Sequence, residues 1–296
     1  MSIDKAVYNA KIVKYFDLNG FDYRLTWSSR QNRALHMGYW DADTTSHAES
    51  LVNMDRELAI PLDLRPGQRV LDAGCGIGGS SLWLAEKFGV EVVGVTLVPG
   101  QARSANRAAR RRGLSHLVRF EVADYCDTGL AAESFDVVWA QESACYALDK
   151  RDFFREAARV LRPGGKVAVA DGFRTSRDFA PDVEQFVRYS VQCMAVDDFS
   201  TPEEFESDAR ECGFTDVVYR DVTKESLPSA RRLHRIASWF RVPDLIGHKI
   251  GLRPEVVHRN VEIGLNMIKT LEEGMCAMGL MHGTKPERPR GGAPTR

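Results

Sequence analysis

The chain of 296 residues has no long apolar run, so it offers no segment that could cross a bilayer as a helix. Its opening residues, Met1-Ser2-Ile3-Asp4-Lys5, carry no apolar core of the kind a secretion signal needs. A soluble, cytoplasmic protein with no membrane span is the expectation. Cysteine is scarce and scattered: six residues, none in a CxxC spacing, which argues against both a zinc site and a disulfide framework. Free thiols in a reducing compartment follow from that, and no metal is expected. Excess charge is missing too. Forty lysines and arginines face 41 acids, a net charge of −1, whereas nucleic-acid binders usually carry a clear basic excess. No internal repeat is visible, and the sequence leaves the oligomeric state open, a homo-oligomer included.

What the chain does have is apolar content, 44%, in the ordinary globular range and enough for one large α/β domain with a cap or lid. Its organising stretch is Val70-Leu71-Asp72-Ala73-Gly74-Cys75-Gly76-Ile77-Gly78-Gly79. Val70 and Leu71 end a short apolar run that reads as a buried strand, Asp72 stands where that strand stops, and residues 80–87 read as a helix. Glycine has no Cβ, so a ligand can press against such a turn, and the helix start offers it free N–H groups. This is a nucleotide-type pocket. One further absence decides which nucleotide. Gly74, Gly76 and Gly79 also satisfy GxGxxG, but NAD or FAD recognition wants an acid at the end of the second strand. Here that end reads Gly94-Val95-Thr96.

Strands and helices alternate from residue 69. Strands are expected at 69–72, 91–96, 118–122, 135–139 and 166–171, with helices at 79–88, 99–112 and 149–161. A turn is expected at Arg162-Pro163-Gly164-Gly165. Strict alternation predicts a doubly wound, mainly parallel sheet covered on both faces, Rossmann-like, with seven strands once 217–221 and 278–283 are added. Four parts are expected: a helical N-terminal cap (1–60), a core (61–172), the rest of the sheet with a helical lid (173–283), and a disordered tail (284–296). In the cap, Tyr8, Ile12, Tyr15 and Phe16 fall on one helical face, and Ser46-x-x-Glu49 signals a helix start.

In an open parallel sheet, ligands bind beyond the carboxyl ends of the strands. Those ends carry Asp72, Thr96, Asp124 with Tyr125, Gln141 with Glu142, and Asp171. With Leu161-Arg162-Pro163-Gly164-Gly165, the stretch from 70 to 171 resembles class I S-adenosylmethionine-dependent methyltransferases. Gly94-Val95-Thr96-Leu97 with Gln101, and Gln141-Glu142-Ser143-Ala144-Cys145-Tyr146-Ala147, resemble the tocopherol and sterol C-methyltransferases among them. The resemblance implies S-adenosylmethionine as cofactor. It places Asp72, Gly74, Gly76 and Gly78 at the methionine part, Thr96 and Gln101 at the ribose, Asp124 and Tyr125 at the adenine, and Gln141 at the amino-acid end. Tyr15 of the cap is a further cofactor candidate.

A sulfonium is already activated, so the protein mainly aligns the attack and excludes water. An O- or N-nucleophile needs a base. An alkene carbon needs aromatic faces for a cation, then a base to take up a proton. Glu142 is the expected base, with Tyr146 and His36 behind it. Trp27, Tyr39, Trp40 and Phe173 are expected to line the acceptor, and Arg231, Arg232 and Arg235 of the lid to hold a diphosphate. The acceptor is expected to be a small molecule, an isoprenoid alkene or prenyl diphosphate methylated on carbon. N- or O-methylation of a secondary metabolite is the alternative, and an NAD- or FAD-dependent oxidoreductase a distant one.

Overall fold

The computed structural model describes residues 3–26 and 32–288. Seven strands form one sheet: β1 (Arg69–Ala73), β2 (Glu91–Thr96), β3 (Val118–Val122), β4 (Phe135–Gln141), β5 (Leu161–Arg174), β6 (Thr215–Asp221) and β7 (Cys276–Thr284). Their order is β3-β2-β1-β4-β5-β7-β6. The first five pair in parallel, and β7 runs antiparallel to both β5 and β6. The order reverses between β1 and its neighbours β2 and β4, and a crevice opens above that switch point.

Strand composition explains the layering. Val70, Val92, Val137 and Trp139 face one apolar layer, while Leu71, Val93, Val138 and Ala140 face the other. A strand buried on both sides needs apolar residues at successive positions, and these have them. The helices are α1 (Lys5–Thr26), α2 (His47–Ala59), α3 (Gly79–Phe88), α4 (Pro99–Arg111), α5 (Lys150–Val160), α6 (Pro181–Cys193), α7 (Pro202–Glu211), α8 (Thr223–Lys249) and α9 (Glu255–Glu272). α5 and α7 cover the second layer through Phe153, Phe154 and Phe205, and α2, α3 and α4 cover the first. Thr201 opens α7 with a complete capping box, its hydroxyl accepting from Glu204 N–H while Glu204 reaches back.

Two expectations are corrected. α2, assigned to the cap, packs Met54 and Leu58 onto the sheet beside Val70 and Val137. The expected turn at 162–165 is an excursion inside β5: pairing with β4 steps from Leu161↔Phe135 to Lys166↔Val137, and Gly164 takes φ +78°. The first residues of the expected tail are held: Gly164 N–H donates to Lys285 O (2.8 Å), and Lys285 Nζ donates to Ala158 O and Leu161 O (both 2.7 Å). Residues 289–296 lie outside the described part.

α1 lies across the carboxyl end of the sheet and is tied to α9. Tyr15 donates to Asn260 Oδ1 (3.0 Å), and Asp22 accepts from Arg253, which follows α8 (2.8 Å).

Candidate active site

Between α1 and the carboxyl ends of β1, β2 and β4 lies a cavity of about 300 Å³. Asp72, Gly74, Gly76, Thr96, Gln101, Asp124, Tyr125 and Gln141 all line it. The turn after β1 is built for close approach. Gly74 has φ +92°, and a Cβ there would stand 2.3 Å from Ser143 Cβ. Its N–H and that of Cys75 both donate to Val95 O, which fastens the turn to β2. A Cβ on Gly79 would meet the carbonyls of Asn32 and Arg33 at 2.7 Å, so the segment leading to α2 closes over the start of α3.

The side chains are held by one another. Thr96 donates to Gln101 Oε1 (2.8 Å), which leaves the NH₂ end of Gln101 for a ligand. Asp124 accepts from Cys126 N–H (2.8 Å), Lys5 (3.0 Å) and Asn9 (3.2 Å). Burial pushes its carboxyl upward, but these donors outweigh burial and hold it below the usual range. The Gln141 carbonyl oxygen accepts from Ser80 (2.7 Å) and Trp139 Nε1 (3.3 Å), while its buried Nε2 has no partner among the described residues.

Acidity is the chamber's electrostatic signature. Asp72 accepts from the Ser81 hydroxyl and is 3% exposed; burial pushes it up to about 7. Asp55 of α2, 2.9 Å from the Ser80 hydroxyl, is also pushed up by burial to about 7. Glu142 accepts from Met37 N–H and is raised by burial to about 8. Among the described residues, no lysine or arginine pairs with any of these three. Buried acids without a cation fit a ligand that brings its own positive charge, and an unpartnered amide N–H fits a carboxylate. S-adenosylmethionine has both, a sulfonium and an ammonium beside its carboxylate.

A second, apolar chamber of about 90 Å³ adjoins the first, and Glu142 and Tyr146 line both. Phe16, Tyr23, Val191, Met194, Phe199 and Met267 wall it. It continues into a third space of about 200 Å³ between the end of α1 and the α8–α9 pair, sharing Tyr23, Met194 and Met267. Glu142 therefore stands at the seam between the nucleotide-type chamber and the apolar one. Its backbone has φ +47°, rare for a residue with a side chain, and its N–H continues the sheet to Ala170 O (2.7 Å).

Several expected site residues lie elsewhere or line the chambers in another capacity. Tyr15 is buried against α9, its hydroxyl shared with Tyr23 (2.9 Å) and Asn260, and it does not line the first chamber. Gly78 caps α3 with φ +84°, and the space its Cβ would need holds Phe120 and Ala105, so its glycine is structural. His36 lines the chamber, its Nδ1 paired with Met37 O and its Nε2 3.7 Å from Asp55, but burial lowers it to about 4 and makes it a weaker base than Glu142. Tyr146 contributes its ring; its hydroxyl donates to Met194 O and burial holds it protonated. Phe173 is on the opposite face, against Phe205 and Tyr219, because strand alternation turns its neighbour Gly172 toward the chamber instead.

The remaining acceptor candidates miss as well. Tyr39 lies under Arg220, and Trp40 donates to Ser229 (3.0 Å), both away from the chambers. Arg231 pairs with Glu272 on the surface, Arg232 donates to Thr26 O, Arg235 is exposed, and none lines a chamber. Trp27 lies outside the described residues. Asp55 and Ser80 were not anticipated as site residues; the one sequence signal was an acid beside Met54 in a helix whose apolar face is buried.

Comparison with known proteins agrees with this geometry. Residues 71–169 match the family model of a methyltransferase domain. The probable chloroplastic tocopherol O-methyltransferase of Oryza sativa subsp. japonica is 30% identical over 216 residues, 68% of this chain and 60% of that protein. The chain thus spans less than two thirds of the length of this relative, which is named for O- rather than C-methylation. The 27-O-demethylrifamycin SV methyltransferase of Amycolatopsis mediterranei (strain S699) is 34% identical over 197 residues, 66% of this chain and 71% of that one. A solved geranyl diphosphate C-methyltransferase from Streptomyces coelicolor A3(2) superposes with a TM-score of 0.73 at 20% identity. That match covers 94% of this chain and 97% of the other, and at that identity it shows a common fold alone.

Proposed function

Because the chain belongs to the S-adenosylmethionine-dependent methyltransferases, we propose that it transfers a methyl group to a hydroxyl of a neutral, largely apolar small molecule, with Glu142 as the base. The observation that carries this reading is the position of Glu142, the one carboxyl that lines both the acidic chamber and the apolar one.

The cofactor, when bound, supplies an electrophilic methyl on sulfur. Asp72, Gly74 and Gln141 would hold its amino-acid end, Thr96 and Gln101 its ribose, and Asp124 with Tyr125 its adenine. The sequence assigned these roles, apart from those given to Tyr15 and Gly78. Asp55 lies 2.9 Å from the Ser80 hydroxyl, and Ser80 is 2.7 Å from the Gln141 carbonyl oxygen, so this chain of contacts fixes the orientation of the amide. Phe16, Tyr23, Tyr146 and Phe199 exclude water from the acceptor side. A carboxyl raised to about 8 has the basicity to accept a hydroxyl proton as the new C–O bond forms.

The diphosphate idea loses its footing, since the arginines expected to bind it lie outside the chambers. Carbon methylation of an uncharged alkene stays as the second reading, because the same four rings would face a cation formed beside the new bond. Both relatives named above for methylation of O-bearing molecules favour oxygen. Methyl-labelled cofactor, offered with neutral apolar alcohols, phenols, alkenes and prenyl diphosphates, separates the readings. Label in an ether supports the first and label on carbon the second. Label only in diphosphates would overturn both.

A further inference from the structure

The far end of the α8–α9 pair has an apolar surface that no other described residue covers. Trp239, Val242, Ile246 and Ile250 recur at three- and four-residue spacing, so they form one stripe along the end of α8 and just past it. All four are more than half exposed, Trp239 at 81%, and Leu252 in the following turn stands at 76%. Soluble surfaces rarely carry so many large apolar side chains together.

The unpaired charges beside the stripe are cationic, while Glu255, which faces His248 (3.3 Å), is paired with Arg259 (2.7 Å). Arg235 lies one turn before Trp239 on the same side, and Lys249 lies three residues after Ile246. Both are exposed, and neither has a carboxylate partner among the described residues. Between residues 234 and 252 the single acid is Asp244, which is buried and paired with Arg253 and His258. An apolar stripe that begins with an indole and has unpaired cations near its ends is complementary to an anionic lipid surface.

We propose that this tip is a peripheral lipid-binding surface, seated on a bilayer rather than spanning it. Among the described residues, no helix is long and apolar enough to cross one. The third space opens beside the stripe, because Phe240 and Phe21 line it and are also 48% and 67% exposed. On the reading that the acceptor is apolar, the tip would let such a molecule pass from lipid toward Glu142 without crossing water.

The test is binding of the full chain to phosphatidylcholine vesicles with and without phosphatidylglycerol, in the absence of any acceptor, so that it stands or falls apart from turnover. Wild type should float with the anionic vesicles and shift its tryptophan emission to the blue. Trp239→Ser with Ile250→Ser, both at exposed positions, should weaken binding roughly tenfold or more. Arg235→Ser with Lys249→Ser should weaken it roughly thirtyfold on anionic vesicles at low salt and leave binding to neutral ones unchanged. The proposal is overturned if wild type ignores both kinds of vesicle, or if both double variants bind as wild type does. It is also overturned if the chain sediments as a dimer that Trp239→Ser dissociates, which would give the stripe to a second copy.

Discussion

Asp72→Asn probes the electrostatics of the cofactor chamber most directly. The carboxyl is 3% exposed, and burial raises it from an ordinary 3.8 to about 7. Between those values the folded protein keeps a proton that the unfolded chain has released. Stability is therefore undiminished below pH 3.8, falls as pH climbs to about 7, and is level above it. Between about pH 5 and about pH 8.5 the loss amounts to about two pH units of linkage, or ~3 kcal/mol. Asp55 shares the same field, so part of that loss belongs to the pair. Asparagine has the same shape and cannot ionise. Urea titrations of ligand-free wild type and variant at both pH values give the assay, and taking the difference between them removes any packing cost common to both. The variant should gain ~3 kcal/mol on wild type in moving to the higher pH, while its affinity for S-adenosylhomocysteine drops roughly tenfold or more. Equal pH dependence in the two proteins would refute the claim that the chamber awaits a cation.

Three further outcomes follow from the geometry. Glu142→Gln should lower kcat roughly a hundredfold or more with cofactor affinity nearly intact. Wild-type kcat should rise with pH up to about 8 and then level, since only the ionised carboxylate accepts a proton; a variant with the same pH profile would remove Glu142 from the chemistry. Gly74→Ala places a Cβ 2.3 Å from Ser143 Cβ at φ +92°, and should destabilise by about 3 kcal/mol from strain and overpacking together. An unchanged melting temperature would contradict that. Met267 lines both apolar spaces, so Met267→Trp should raise the acceptor's KM and leave cofactor binding alone; an unaltered KM would mean that the acceptor lies elsewhere.

Much of the sheet was legible because strands buried on both faces must be apolar throughout, and Val92, Val93 and Val95 are. The lining of the first chamber was legible for a related reason: a parallel sheet opens its crevice at the strand ends, and Asp72, Thr96, Asp124 and Gln141 are polar residues there. Residues whose role depends on rotation about an element were not. Phe173 and Gly172 are neighbours, and a one-residue difference in register decides which faces the chamber. Arg231 looked available until the fold brought Glu272, 41 positions later, against it. Asp55 was hidden in a helix read as part of a cap, and only the packing of that helix on the sheet carries it to Ser80.

α1 has a consequence that reaches beyond the site. Lys5, Asn9 and Phe16 roof the nucleotide chamber, while Phe16, Phe21 and Tyr23 of the same helix roof the apolar spaces. The two guests thus share a ceiling. Whatever coupling that ceiling carries must be reciprocal, each guest changing the other's affinity by the same factor.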